Sequence, residues 1–454
     1  MTRAPTSRQT TRTLTDAYRA KTPGSAAQWG RAQRRLPTGI SRNAVLRRPY
    51  PIFFSSANAQ LLHDIDGNAY VDYCLNFGPI LLGHGVAAIV DPVLDQVRRG
   101  WGYGGPTNLE LDVAAMIGEM YPAAERVRFL STGTEAILHM MRLARASTGR
   151  ERIVKFIGAY HGSHDGAQLS VRPLDTVTHG WLGVPESEGI PAAESEYTLA
   201  VPYNDIDALA DCLNTFPGEV AAIIVDCAMN NSGLAAPDEG FLQAVERLAR
   251  EHGALLVLDE VVTGFRYGLG GAAAHYGLSP DLAAFGKVLG GGAPIGALVG
   301  RAEHMRKLDI DDHGRCPVPQ SGTFAANPVT LASAKALLTH LQANRSVYET
   351  LDRMGGRIRD AVNLLGDQRR LPLIATGVGS MFQIHAGVPE MRDYDDFRSR
   401  DADFRARLYL HMAIHGCYLP TPTGTFFLSA SHTDADVERF LELFELFLQD
   451  HVES

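Results

Sequence analysis

Apolar residues fall in short runs that alternate with longer amphipathic stretches, most regularly between residues 220 and 260. VAAIIVD (220–226) is short and wholly apolar up to its acid, as expected of a buried strand. GFLQAVERLAREHG (240–253) spaces its apolar residues at helical period and closes on Gly253, a helix stop. ALLVLDE (254–260) is a second buried strand. Together they make a β-α-β unit, so the two strands should be parallel. The same alternation begins near residue 108. LELDVAAMIGEMY predicts a helix, RVRFL (126–130) a strand, TEAILHMMRLARAST (134–148) a helix and RIVKF (152–156) a strand.

The chain ends read differently. AQLLHDIDGNAYVDY (59–73) sets two short apolar runs around Asp66-Gly67-Asn68, which predicts a β-hairpin. Residues 171–198 are rich in Pro, Gly, Ser, Thr and Glu and predict a long loop of the kind that serves as a lid. Beyond residue 330 come helices, a short strand region and a last helix, with Thr433 as cap and Val437, Phe440, Leu441, Phe444 and Phe447 inward. No internal repeat is visible. The expected organisation is a large α/β domain over 76–330 and a smaller α+β domain built from 31–75 and 331–454, with 1–30 as a polar N-terminal tail whose one suggestion of order is a short helix near Leu14–Ala20.

Composition narrows the class. A chain of 454 residues, 45% apolar and 20% charged, is globular and long enough for two or three structural units. The net charge of −9 is uneven. Residues 1–50 hold eleven Arg or Lys and one acid, Asp16, so this arm is +10 and the other 404 residues are −19. The arm reads as a solvated segment that partly packs on the body; a transit peptide and a polyanion patch are the alternatives. No apolar run approaches the roughly 18 residues of a membrane helix. Cys74, Cys212, Cys227, Cys316 and Cys417 show no metal or redox spacing. A reducing cytoplasmic compartment is expected, with no membrane or nucleic-acid partner and no metal.

Three motifs bear chemistry. In FLSTGTEA (129–136) a strand runs into Ser131-Thr132-Gly133-Thr134 at a helix start, where backbone N–H groups and hydroxyls suit a phosphate; plain N-capping is the alternative. It is neither a P-loop nor a GxGxxG turn. Asp259 and Glu260 close a buried strand, where open α/β sheets bind ligands, and a carboxylate there suits a ring N–H or a cap. Lys287, in AFGKVLGGGAPIGALVG (284–300), stands among apolar residues before a glycine run. An apolar setting lowers a lysine pKa and suits Schiff-base chemistry. A phosphate cradle, a ring-nitrogen carboxylate and a Schiff-base lysine are what pyridoxal 5'-phosphate (PLP) requires.

With LDEVVTGFR, PDLAAFGKVLGGGAPIGA and SGTFAANP, the chain resembles the class III PLP-dependent aminotransferases over about residues 37–448. Within them it is similar to the glutamate-1-semialdehyde aminomutase subgroup, through NFGPILLGHG (76–85), RLARASTGRERIVKFIGAYHGSHD (142–165), VPYND (201–205) and FLSASHTDAD (427–436). The resemblance implies fold type I, a large domain with a mostly parallel sheet and a smaller α+β domain. It implies Lys287 as the cofactor's lysine and proton carrier, and Asp259 on the pyridine nitrogen. Val261 and Tyr160 cover the two ring faces, and Thr132, Gly133 and Thr134 hold the phosphate. Thr323 reaches the phosphate of a neighbouring subunit, so a homodimer with shared active sites is implied. His161 and His164 read as structural or entrance-lining, with proton carriage the alternative; His84 reads as a turn histidine and Cys227 as a strand-end filler.

Substrate contacts are less regular. Arg42 resembles the carboxylate arginine of β-amino-acid aminotransferases, and Phe77 lies in the matching NFGP stretch. The C-terminal arginine of α-amino-acid relatives falls near Thr423, with no Arg close by in sequence. Asn231 stands where several relatives have glutamate and the aminomutases have asparagine, whereas an acid of the aminomutases falls at Gly424. Asp226-Cys227 replaces the usual Glu-Pro. The expected function is amino transfer between a small-molecule amine donor and a carbonyl substrate, such as an amino-sugar or other secondary-metabolite intermediate. An aminomutase, epimerase or dehydratase on the same cofactor is the alternative.

Overall fold

The computed structural model describes residues 7–173, 179–421 and 424–451. It divides into two compact units, Ala87–Tyr348 with Met391–Arg398, and Met1–Val86 with Glu349–Glu390 and Ser399–Ser454. The divisions fall after Val86 and Tyr348, not near residues 75 and 330. The reason lies in helix Pro328–Ala343, which packs against helices Ala87–Arg99 and Asn108–Met120 within the larger unit.

The larger unit is built on a sheet of seven described strands: β1 (Arg126–Leu130), β2 (Arg152–Phe156), β3 (Thr198–Val201), β4 (Val220–Val225), β5 (Leu255–Glu260), β6 (Leu282–Phe285) and β7 (Gly296–Gly300). Their order is β1-β7-β6-β5-β4-β2-β3. β4 and β5 are parallel and buried at every residue, as their unbroken apolar runs require. β7 is antiparallel to both β1 and β6, and every other pairing is parallel. Two antiparallel steps restore direction, so β1 points the same way as β5 and β6. The chain therefore leaves β1, β2, β4, β5 and β6 at one common edge of the sheet. Helix Gly133–Thr148 buries Ile137, Met140, Met141 and Leu143 in one cluster with Ile153, Ile224, Val257 and Leu298 of the sheet.

The smaller unit contains the predicted hairpin, strands Leu61–Asp64 and Ala69–Asp72. Gly67 takes φ +86° in its turn, and the Asp64 carboxylate accepts from the backbone N–H of Asp66 and Asn68 at 2.9 and 2.7 Å. A second sheet joins Leu373–Thr376, Met381–Ala386 and Phe426–Phe427. The last helix, Asp434–His451, is capped by Thr433, whose Oγ1 accepts from Asp436 N–H at 3.3 Å. It buries Leu443 more fully than Leu441.

The polar tail expected over 1–30 is instead helical where described, as Ser7–Lys21 and Pro23–Ala32. Leu14 and Tyr18 are buried. The Tyr18 hydroxyl donates to Tyr50 O at 2.8 Å, and Lys21 Nζ donates to Ile414 O at 2.7 Å, at the end of helix Ala402–Ile414. Asp66 accepts from Gly24 N–H and Ser25 N–H, capping the second helix. Sparse apolar positions sufficed because polar anchors do the rest. Residues 174–178 of the expected lid lie outside the described residues. Its remainder folds back through bridges Leu169↔Pro185 and Leu182↔Leu199.

Candidate active site

The common strand edge gathers residues far apart in sequence. After β1, Thr132 caps the helix that starts at Gly133: its Oγ1 accepts from Glu135 N–H at 3.1 Å. The Glu135 carboxylate accepts in return from Ser131 and Thr132 N–H at 2.7 and 3.0 Å. Capping and anion binding are therefore not exclusive here, because the first-turn N–H groups beyond the cap have no intrahelical acceptor. Thr134 Oγ1 accepts from Ser163 N–H at 3.3 Å, which ties this turn to the segment after β2. A Cβ on Gly133 would stand 2.9 Å from Val261 Cγ1. A Cβ on Gly286 would stand 3.3 Å from the same atom, so Gly133, Val261 and Gly286 meet at one point.

Asp259 ends β5 and is buried. His161 Nδ1–H donates to its Oδ2 at 2.7 Å, and Val261 N–H donates to its Oδ1 at 3.0 Å. Glu260, one residue on, points elsewhere. It accepts from Thr263 Oγ1 and from Ala272 and Ala273 N–H, and burial pushes its carboxyl up. Lys287 follows β6 through Gly286, is half-buried, and holds the left-handed φ of +40°. A lysine has no intrinsic preference for that backbone, so the surrounding fold imposes it. Burial lowers its amine below the ordinary lysine range; Asp259 and Asp226 oppose this, and Arg266 adds to it.

Neighbouring groups divide into structural and functional. Asp226 accepts from Ala228 and Asn230 N–H at 3.1 and 3.0 Å, and burial followed by the charge of Asp259 raises its pKa. Cys227 is buried and its thiol is pushed well up, which makes it inert. His164 is pushed down to about 4 by burial and is neutral at pH 7. Tyr160 is 42% exposed. Asn231 and Thr323 are exposed. Sequence reasoning set His161 aside as structural, and the structure makes it the partner of Asp259. Its position after a strand in AYHG was the available signal, but the 98-residue separation from Asp259 hid the contact.

The other candidate residues lie in the smaller unit. Arg42 is exposed, donates to Asn76 Oδ1 at 3.1 Å, and its guanidinium lies 5.5 Å from the Phe77 ring centre. Leu75, Asn76 and Phe77 are all left-handed, with φ of 44°, 55° and 67°. The buried Asp72 carboxylate holds this turn by accepting from Cys74 and Leu75 N–H, and His84 Nε2 bonds its other oxygen at 2.8 Å. Thr423 lies outside the described residues. Buried Arg405 donates to Gly424 O at 2.9 Å and to Ile384 O at 2.9 Å, although both partners are backbone.

These residues suit PLP on structural grounds. A buried carboxylate, a lysine with lowered basicity and a glycine-lined helix start converge at the carboxyl ends of one parallel sheet. That combination defines a PLP-dependent enzyme of the transferase fold. The chain belongs to the class III aminotransferases: the family model matches residues 43–398. It is 40% identical to the glutamate-1-semialdehyde 2,1-aminomutase of Methanopyrus kandleri, over 94% of this chain and 98% of that protein. Among solved structures it resembles an omega-transaminase from Sphaerobacter thermophilus, with TM-score 0.87 and 32% identity over 94% of this chain and 97% of the other. It also resembles a β-phenylalanine aminotransferase from Variovorax paradoxus, with TM-score 0.88 and 30% identity over 98% of each chain. Among the described residues no helix is long and apolar enough to cross a membrane, and no metal-ligand cluster is present.

Proposed function

We propose that this enzyme is an aminomutase, moving an amino group between neighbouring carbons of a substrate of the glutamate-1-semialdehyde type. The observation that carries the reading is the 40% identity to the Methanopyrus kandleri aminomutase across nearly the full length of both chains. It favours amino-group exchange over the amino-sugar aminotransferase expected from sequence. When bound, PLP supplies an electron sink for the pair left on the substrate carbon. In this reading Lys287 would hold the cofactor through its aldehyde carbon, and its amine is the group placed to carry a proton. Burial lowers its basicity, which favours the free amine over the ammonium relative to an exposed lysine. Asp259, oriented by His161, would pair with the pyridine nitrogen and favour its protonated form. Thr132, Gly133 and Thr134 hold the phosphate, and Val261 and Tyr160 cover the ring.

Arg42, steadied by Asn76 and Phe77, is the carboxylate contact of this reading, with Asn231 and Thr423 as further substrate contacts. Thr323 reaches the phosphate of a second copy, in a homodimer. The five free cysteines suit a cytoplasmic enzyme. The test is incubation of the PLP-loaded enzyme with glutamate-1-semialdehyde, followed by NMR. The isomer with its amino group on the neighbouring carbon is expected, with no external donor. Keto-acid release from an added amine donor, without isomer, overturns it in favour of an external-donor aminotransferase. A β-amino acid would be the first substrate to try then, given Arg42 and the Variovorax paradoxus likeness. Arg42→Ala should raise KM about ten- to hundredfold with kcat less affected, the size of a lost charged hydrogen bond.

A further inference from the structure

Lys155 takes no part in the chemistry above, yet it is a lysine only 1% exposed. It sits in β2, beside Ala200 of β3. Lysine is almost never fully buried unless paired. The hydrogen bonds of its ammonium run to two backbone carbonyls: Nζ donates to Ala159 O at 2.8 Å and to Leu169 O at 2.6 Å. Burial pushes the amine down to about 7, with the charge of Glu186 pulling the other way.

The two acceptors bracket one excursion of chain, residues 160–168. That excursion holds Tyr160, the ring-face residue; His161, which orients Asp259; and Ser163, whose N–H donates to Thr134 Oγ1 in the phosphate turn. The far acceptor also adjoins the lid. Next to Leu169, Ser170 N–H donates to Val184 O at 2.7 Å, and Glu186 N–H donates to Gln168 O at 3.0 Å. Arg172 closes the same base by donating from its backbone N–H and its Nε to the Glu186 carboxylate, each at 2.8 Å. One buried amine thus ties the start of the cofactor loop to the root of the lid. An apolar side chain of equal length would fill the space but leave both carbonyls without a donor.

We propose that Lys155 is a positioning residue that joins the cofactor-contacting loop 159–169 to the base of the lid at 182–186, so that cofactor binding and lid order respond together. The inference rests on the PLP site described above and is independent of whether the reaction is isomerisation or transfer.

The test uses the full chain. Lys155→Met keeps the length and loses the donors. PLP affinity by equilibrium dialysis should weaken about tenfold, as expected when two buried hydrogen bonds are lost. The visible circular dichroism of bound PLP should fall, and chymotryptic cleavage at Trp181 should quicken, while far-UV dichroism is retained. Leu209→Ala, which opens a cavity in helix Ile206–Thr215, is the stability control. It should lower Tm and leave PLP affinity and lid cleavage unchanged. Wild-type PLP affinity and lid cleavage in Lys155→Met overturn the proposal, as does an equal loss of both in Leu209→Ala. If Lys155→Met does not fold, the wild type decides by hydrogen exchange with and without PLP. Segments 159–169 and 182–186 must gain protection together, and protection of the first alone overturns the coupling. Failure of the wild type to bind PLP at all would instead defeat the reading of the site.

Discussion

Replacing His161 by Phe isolates one hydrogen bond. The imidazole is 1% exposed and the Asp259 carboxylate 9%, so water does not readily replace the lost donor. Phe roughly keeps the ring volume, and Asp259 retains a single backbone donor, Val261 N–H at 3.0 Å. A hydrogen bond to a charged group contributes about 1.5–3 kcal/mol. If Asp259 must be held in place for the reaction, that loss translates into a rate about ten- to hundredfold lower. His161→Asn is the informative partner, because its amide nitrogen can donate from near the Nδ1 position and should restore much of the rate. PLP affinity by absorbance titration, Tm and steady-state kinetics on all three proteins make the assay. Wild-type kinetics in His161→Phe, or equal impairment of the Phe and Asn variants, would refute the claim that this bond orients Asp259.

Other outcomes follow from the same geometry. Lys287→Ala should abolish turnover while leaving the fold intact by far-UV dichroism. Because burial lowers the Lys287 amine, it stays neutral at pH values where exposed lysines are protonated. Trapping of PLP on Lys287 with cyanoborohydride should therefore persist below the ordinary lysine range as pH falls, and the profile should move up in urea. Gly296→Ala would place Cβ 2.1 Å from Thr132 O, a backbone clash that should cost about 3 kcal/mol or more in urea denaturation and weaken PLP binding. Phe324 and Trp101 are 70% and 66% exposed, and on the homodimer reading Phe324→Glu should yield a monomer by sedimentation with activity lost.

The local pattern was informative where physics is local. β4, helix Phe241–Glu251 and β5 follow from two apolar runs around an amphipathic stretch, because burial on both faces leaves no polar alternation to misread. The hairpin turn was legible because Gly67 and the Asp64 side chain act within a few residues. Of the two N-terminal helices only a short stretch near Leu14–Ala20 was legible, because polar anchors hold the rest. Asp66, Tyr50 and the carbonyl of Ile414 are distant in sequence, and no periodicity reports them.

The site divides the same way. Sequence alone identified the chemical inventory: a lysine in an apolar setting, an acid at a strand end, and hydroxyls and glycine at a helix start. These depend on residue type and immediate neighbours. Only the tertiary structure decided which groups meet. The resemblance had already singled out Asp259, and the structure adds that it bonds His161 while Glu260 turns to Thr263 and the Ala272 N–H, because successive side chains of a strand point to opposite faces. It converted His161 from a spare histidine into the partner of Asp259, and placed Lys155 between the carbonyls of Ala159 and Leu169. It also imposed the left-handed turn at Leu75–Phe77 that brings Asn76 and Phe77 to Arg42. Such contacts depend on sheet order and on which strand ends share an edge, and those are properties of the assembled fold rather than of any window of sequence.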